Sequence, residues 1–487
     1  MRYKKFTILH SNDIHGDFLA ELKGQKGKLL GGLALLSGYI NKVRSEEENV
    51  LYVISGDMVQ GSLIDAEYKG ISTMEIMNYL SPDVVALGNH EFDYGLPHLL
   101  FLEKMANFPI VNANLYIKDY HKRLMRSHHI IHKAGLDLLF TGIITEKIMD
   151  ALKLDPLIGS FVNLEEASRE VGKIVSAYKN DDIDLTVLLT HIGFESDVKL
   201  AKLLDPQWGV DLIIGGHSHS FLEKPAEENG VVIVQAGNGT DQIGRLDLTI
   251  DDDTNSITEY QWKLIAINDS LCKPDKNLEN FIDGFRTTVD KKYSVVVTRF
   301  QKALTHPKRE IETELGNLIA DIFANFCQCD AMLVGSGSIR VNSLGAVVSL
   351  KDLLACFPYD DFLSRHEITG AQLRKIFTYI MRVENRDGEG ECYQVNNSVN
   401  AIYSDKEKKL VSLKVNGKEI ADHNTYTICM QGYHFKNAKA YLGIDPKDLE
   451  ASGKSKTVTV SAQEVLKEYL MSHQNENRTI EGRLIYK

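Results

Sequence analysis

No run of about 18 or more apolar residues occurs in the 487-residue sequence, so no membrane-spanning helix is expected. Cysteine is sparse and unpatterned: Cys272, Cys327, Cys329, Cys356, Cys392 and Cys429 form no regular framework. That argues against a disulfide scaffold and for a reducing compartment. Positive charge is in deficit, with 55 Lys and Arg against 67 Asp and Glu and a formal net charge of -12. This balance speaks against general binding of nucleic-acid polymers or of an anionic membrane surface. It also means that an anionic substrate needs a local positive field, for which metal ions are the obvious source. Internal repeats and low-complexity segments are missing as well. The start, Met1 to Lys5, is basic, but the apolar run behind it is too short for a signal-peptide core and leads straight into polar residues. Arg483 to Lys487 does not read as an anchoring tail, and none is expected. The expectation is a cytoplasmic protein.

What the sequence does contain is ordinary in bulk, 43% hydrophobic and 25% charged residues, as in a globular chain. Its length exceeds what one hydrophobic core usually supports, so two or three domains are expected. The arrangement is less ordinary. A strand over Phe6–Ser11 runs into Asn12-Asp13-Ile14-His15-Gly16-Asp17, where Asp-x-His puts a carboxylate and an imidazole on one side of an extended backbone. A helix to about Arg44 follows Gly31-Gly32. The apolar run Val50–Ser55 then ends in Gly56-Asp57, and after a helix near Thr73–Leu80 the run Asp83–Leu87 ends in Gly88-Asn89-His90-Glu91-Phe92-Asp93. Strand, loop and helix alternate three times, with polar donors after each strand. That pattern predicts an α/β sheet with parallel strands whose carboxyl ends carry the site.

The stretch 128–145 reads as a hairpin. Its His128, His129 and His132 have no converging partner nearby in sequence and are read as solvent-facing strand residues. After a helix over Leu164–Tyr178, the strand Leu185–Leu189 ends in Thr190-His191, and Val210–Ile214 ends in Gly215-Gly216-His217-Ser218-His219. Val231–Gln235, Gly244–Ile250 and Ser256–Ile265 are expected to complete a mostly antiparallel set. Asn277 to about Arg299 is a polar-rich amphipathic helix, the candidate connector to a second domain that opens with a helix over Thr313–Phe326.

Gathered together, the residues after the strands of the first domain are Asp13, His15, Asp57, Asn89, His90, Asp93, His191, His217 and His219. Nitrogen and oxygen donors without thiolates suit Mn²⁺, Zn²⁺, Fe or Co²⁺ better than Ca²⁺ or Mg²⁺. Seven candidate ligands are too many for one tetrahedral ion and fit two ions that share a carboxylate. Two metals about 3.5–4 Å apart can clamp the attacking and the leaving oxygen of a displacement at phosphorus.

The ordered set Asp13-x-His15, Gly56-Asp57, Gly88-Asn89-His90-Glu91, Thr190-His191 and Gly216-His217-Ser218-His219 resembles the calcineurin-like metallophosphoesterase superfamily. The longer forms, Ser11 to Gly16 and Gly88 to Asp93, are similar to the 5′-nucleotidase / UDP-sugar hydrolase / 2′,3′-cyclic-nucleotide phosphodiesterase family within it. The resemblance implies an α/β (α+β) architecture. Residues 1–275 would form a four-layer αββα metallophosphoesterase domain, 276–300 a connecting helix, and 301–487 a C-terminal α/β substrate domain. It implies two divalent ions, Mn²⁺ or Zn²⁺ first, with Co²⁺, Fe or Mg²⁺ as further candidates. Asp13, His15 and His219 would hold one ion, and Asn89, His191 and His217 the other. Asp57 and a hydroxide would bridge the two. His90, oriented by Asp93, would assist the leaving oxygen during in-line attack by that hydroxide.

In the second domain the resemblance continues through Thr313 to Asp321 and the glycine-rich loop Gly335-Ser336-Gly337-Ser338-Ile339-Arg340. Arg340 would meet a phosphate or carboxylate, for which its planar fork is suited, and Tyr359 and Tyr433 would sandwich a base. Two departures stand out. Gly335 replaces the asparagine common at that position, and Asn437-Ala438-Lys439-Ala440 replaces Gly-Gly-Asp-Gly, exchanging a carboxylate for a cation. A hydrolase for a small-molecule nucleotide is therefore expected, whether a 5′-nucleotide, a nucleotide diphosphosugar or a cyclic nucleotide. Its alternatives are a hydrolase of a non-nucleotide phosphoester or related sulfur ester and, as a lesser one, an inactive binding module.

Overall fold

A computed structural model of the chain describes residues 3–23, 28–117, 122–146, 158–159, 163–178, 181–386, 391–451, 453 and 455–487. The chain divides into two compact units, Met1–Val289 and Asp290–Lys487, with the division falling inside the helix Lys276–Tyr293. No helix among the described residues is long and apolar enough to cross a membrane.

The first unit is built on two six-stranded sheets. In one the order is Ser256–Ala266, Gln242–Asp251, Tyr3–Ser11, Val50–Ser55, Val84–Ala86, Ile110–Val111. In the other it is Ala226–Glu228, Val231–Val234, Leu212–Ile214, Leu185–His191, Leu136–Ile144, His128–Lys133. Strands at the centre of each sheet run parallel, and they read as unbroken apolar runs because both faces are covered. Every residue of Val50–Ser55 and of Leu185–His191 is buried. Phe6, Ile8, Val53, Phe140, Val187 and Leu246 belong to one core between the sheets. On the outer face of the second sheet, the helices Leu164–Ala177 and Phe194–Leu203 pack Val171 and Leu200 against Leu188 and Ile213. The helix Leu33–Glu46 buries Leu33, Leu36, Ile40 and Val43. The hairpin over 128–145 is present. The set expected to be mostly antiparallel is so: Val231–Val234 pairs antiparallel with Ala226–Glu228, and Gln242–Asp251 with both Tyr3–Ser11 and Ser256–Ala266. It is divided between the two sheets, and Val231–Val234 has Leu212–Ile214 as a parallel neighbour on its other side.

The second unit holds a five-stranded sheet in the order Tyr393–Val395, Ala331–Gly335, Thr425–Gln431, Leu363–Thr369, Ser455–Thr459, and a four-stranded one around Val399–Ser404. The helices Glu314–Cys327 and Ala462–Ser472 share a core, with Leu318, Phe323 and Leu466 in it. The helix Gly370–Ile380 shares another with the smaller sheet. Thr313 starts the first of these helices by accepting from the Gly316 amide. The connector stops at Tyr293, and Val296–Arg299 is a strand paired with Val347–Ser349. A β-branched run of Val295, Val296 and Val297 favours that over helix. In the strand Leu363–Thr369, Ser364, Arg365, His366 and Glu367 dilute the apolar pattern.

Candidate active site

The parallel strands of unit 1 deliver their carboxyl-terminal loops to one place. The loops turn sharply there. Asp13, His15, Asp57, His217 and His219 all have positive φ, between 51° and 79°. Such angles cost a non-glycine residue free energy and cluster where function requires them. Gly56 and Gly88 allow the loops to cross. A Cβ on Gly88 would lie 2.4 Å from the Asp57 nitrogen, and one on Gly56 would lie 2.6 Å from Nδ1 of His191.

Two groups of donors result. Asp13, His15 and His219 offer ligand atoms within 4.8 Å of one another, and so do Asp13, Asp57 and His191. His15 Nε2 faces His219 Nε2 at 3.2 Å, and His219 Nε2 lies 3.3 Å from Asp13 Oδ1. His191 Nε2 is 3.0 Å from Asp57 Oδ2 and 3.2 Å from Asn89 Oδ1. Its Nδ1 donates to the Ser55 carbonyl at 2.8 Å, an outer contact of the kind that aims the opposite nitrogen at a metal. The His217 ring stands 5.1 Å from that of His191, and its backbone amide donates to Asp13 at 2.9 Å. All seven ligand candidates are thus brought into one cluster.

The electrostatics fit divalent ions. Asp13 and Asp57 are 0% and 2% exposed, and buried carboxylates need compensating charge. Burial alone would lower the pKa of His191, yet the Asp57 carboxylate overcomes this and raises it to about 9. The centre demands positive charge, and mixed nitrogen and oxygen donors around shared carboxylates are a setting that two divalent cations satisfy.

His90 and Asp93 lie at the rim. His90 Nδ1 contacts Asp93 Oδ2 at 2.6 Å, and that hydrogen bond raises the imidazole to about 8. The backbone amide of His90 donates to Asp57 Oδ1 at 2.8 Å, and its ring meets His15 edge-on at 5.1 Å. His90 also comes within 4.8 Å of ligand atoms on His15 and Asp57.

Two residues missing from the sequence-based set hold this cluster. Glu91 is buried and accepts from the amides of Gly88, Asp57 and Met58 at 2.7, 3.0 and 2.7 Å, tying two loops together. Burial raises its carboxyl to about 7. Gln235 is also buried, and its Oε1 accepts from Ser218 Oγ and from the Ser220 amide, which fixes the loop of His217 and His219. Glu91 is inside the motif but carries no ligand signal, and Gln235 is inside a strand run. No spacing marks either of them.

In unit 2 a cavity of about 550 Å³ is lined by Arg309, Arg340, Tyr359, Glu391, Tyr433 and His434, among others. Arg340, Tyr359 and Tyr433 therefore meet as expected, with the guanidinium 5.9 Å from the Tyr359 ring centre. Lys436, not Lys439, is the lysine that lines it. Arg309 lies near enough to Glu391 to favour its charged carboxylate, while Asp360 and Asp361 are occupied, accepting from the Gln463 and Tyr433 amides.

Known proteins extend these observations. Residues 6–221 match the family model described as calcineurin-like phosphoesterase, and residues 288–443 match the 5′-nucleotidase C-terminal domain. The chain is 27% identical over 522 residues to the 5′-nucleotidase of Vibrio cholerae, covering 96% of this chain and 90% of that one. It is 25% identical over 519 residues to the protein UshA of Escherichia coli, with the same coverage of 96% and 90%. Among solved structures, a 5′-nucleotidase precursor from Thermus thermophilus matches with a TM-score of 0.65 and 23% identity, over 99% of both chains. With the ligand-bearing loops in one unit and the second family model lying almost wholly in the other, the chain belongs to the calcineurin-like phosphoesterases that carry a 5′-nucleotidase C-terminal domain.

Proposed function

We propose that this phosphoester hydrolase acts on small nucleotides, as a 5′-nucleotidase with activity toward nucleotide diphosphosugars or 2′,3′-cyclic nucleotides in reach. The observation that carries the reading is the donor cluster around Asp13 and Asp57, supported by a cavity in the same chain with two tyrosines and Arg340. Asp13, His15 and His219 would hold one divalent ion and Asn89, His191 and His217 a second, with Asp57 shared; Mn²⁺ or Zn²⁺ suits these donors. When bound, the pair supplies an activated water and neutralises the phosphoryl oxygens. Asp93 hydrogen-bonds Nδ1 of His90 and favours its protonated form, so His90 would donate to the phosphoryl group and the departing oxygen. Asp57 also accepts from the His90 amide, so the shared carboxylate and the proton donor keep a fixed spacing. Arg340 meets an anionic group of the substrate, and Tyr359 and Tyr433 stack on its base. All six cysteines are unpaired, which supports a reducing, cytoplasmic setting. No role is proposed for a nucleic-acid polymer or a membrane.

The test is a substrate panel on Mn²⁺-reconstituted protein, comparing AMP, UDP-glucose, 2′,3′-cyclic AMP and p-nitrophenyl phosphate. At least one nucleotide should exceed p-nitrophenyl phosphate in kcat/KM, with all activity lost to a chelator. Equal or better turnover of the bare phosphoester would sink the nucleotide reading.

A further inference from the structure

Gly335 has an ordinary backbone, with φ -57°, so conformation does not require glycine there. Space does. A Cβ at this position would lie 2.2 Å from Nε2 and 2.5 Å from Cε1 of His434. The imidazole of His434 fills the volume that any side chain at 335 would take.

Its placement is specific. His434 is 2% exposed, yet it lines the cavity shared by Arg340, Tyr359 and Tyr433. Its Nδ1 is 3.1 Å from the Tyr393 hydroxyl, itself on a buried ring. The Tyr433 ring meets it edge-on, 5.4 Å between centres at 84°, and the Tyr433 hydroxyl is 3.0 Å from that of Tyr441. Nε2 has no hydrogen-bond partner among the described residues. Burial lowers the imidazole to about 4, which keeps it neutral. A neutral imidazole carries one proton: a Tyr393 hydroxyl that donates to Nδ1 leaves it on Nε2, and one that accepts from Nδ1 leaves Nε2 as an acceptor.

From this geometry we infer that His434, in the first of these arrangements, is a specificity-determining residue. Its Nε2–H donates to an acceptor, a ring nitrogen or carbonyl oxygen, on the edge of the flat group that stacks on Tyr433. The inference rests on the nucleotide reading above and narrows it to bases that present such an acceptor toward Gly335. Tyr393 acts as a positioning residue through the tautomer it selects.

The experiment measures kcat/KM for AMP, GMP, CMP and UMP, each divided by the same variant's rate on p-nitrophenyl phosphate. In His434→Ala the normalised value for the preferred nucleotide should fall about tenfold, through KM, and the ranking of bases should flatten. His434→Gln, which keeps an N–H donor, should recover part of both. Tyr393→Phe should weaken the ranking without moving kcat. If His434→Ala does not fold, as judged by its thermal transition, His434→Gln against His434→Phe makes the same comparison of donor with no donor. Unchanged KM and ranking in folded variants would overturn the role of His434 alone. A wild type with no preference among bases and none for nucleotides over p-nitrophenyl phosphate would overturn the nucleotide reading, and this inference with it.

Discussion

Asp13 and Asp57 are almost wholly buried and hold backbone amides, whereas Tyr359 and Tyr433 are 57% and 53% exposed. The two candidate sites are thus built in different ways. In unit 1 the side chains are over-determined: positive φ at five positions, glycine crossings and the Glu91 carboxyl leave them no alternative arrangement. In unit 2 the cavity presents large rings, and their firm contacts are with one another, Tyr433 against His434 and Tyr441. The proposed metal cluster is fixed by the fold, and the proposed substrate cavity leaves surface for a ligand to cover. Substitutions should therefore abolish activity outright in one unit and redistribute it among substrates in the other.

The sharpest break of this contrast is Asp57→Ala. It removes the carboxylate that both donor groups approach. The loss in kcat/KM should be about 10³-fold or more, a scale typical of removing transition-state charge stabilisation. It should strike nucleotides and p-nitrophenyl phosphate equally, and the metal content of the purified protein should drop in parallel. A loss confined to nucleotides would erase the division of labour between the units.

Next in size is Glu91→Gln. The amide would turn an NH₂ group toward backbone donors that now bond to a carboxyl oxygen. Leaving one or two buried amides unpaired should cost about 3 kcal/mol of unfolding free energy, read as a lower thermal transition and weaker Mn²⁺ retention. Unaltered stability would mean that the two loops hold together without this carboxyl.

In unit 2, Tyr433→Ala should act on one substrate class. Stacking of a base on an aromatic ring is worth about 1–3 kcal/mol, so KM for nucleotides should rise about 5- to 150-fold relative to the variant's rate on p-nitrophenyl phosphate. A proportional loss on both substrates would place the tyrosine in the chemistry instead.

The same contrast explains what could be read from the sequence. Metal-ligand candidates in unit 1 follow apolar strands at regular intervals, so Asp13, Asp57, Asn89, His191 and His217 announce themselves through alternation of strand and loop. Parallel pairing of Val231–Val234 was not legible, because an apolar run does not encode the direction of its neighbour. Glu91 and Gln235 escaped because a residue that only holds backbone amides follows no spacing rule. In unit 2, Arg340 and the tyrosines were accessible only through resemblance. The tie between Gly335 and His434 links positions about one hundred residues apart, and only packing reveals it.

The smallest effect tests burial outside either site. His10, on the first strand, is 0% exposed and stacks on Trp262 at 5.3 Å, and neither ring nitrogen has a hydrogen-bond partner among the described residues. Burial lowers its pKa to about 3, from an ordinary value near 6.5. A base whose folded pKa lies below its unfolded one binds fewer protons when folded, so its neutral burial is free above pH 6.5. Below that, stability is lost by about 1.4 kcal/mol per pH unit as the pH falls toward 3. His366 in unit 2 is lowered only to about 4, and its two nitrogens contact Ser364 and Ser455, so its contribution ends sooner. His10→Leu should remove the unit 1 term. Between pH 7 and pH 5 the wild type should then lose about 2 kcal/mol more unfolding free energy than the variant, measured by denaturant titration at each pH. Parallel pH profiles for the two proteins would mean that His10 takes up its proton within the folded sheet, and that unit 1 is less rigid at its amino-terminal strand than at its site.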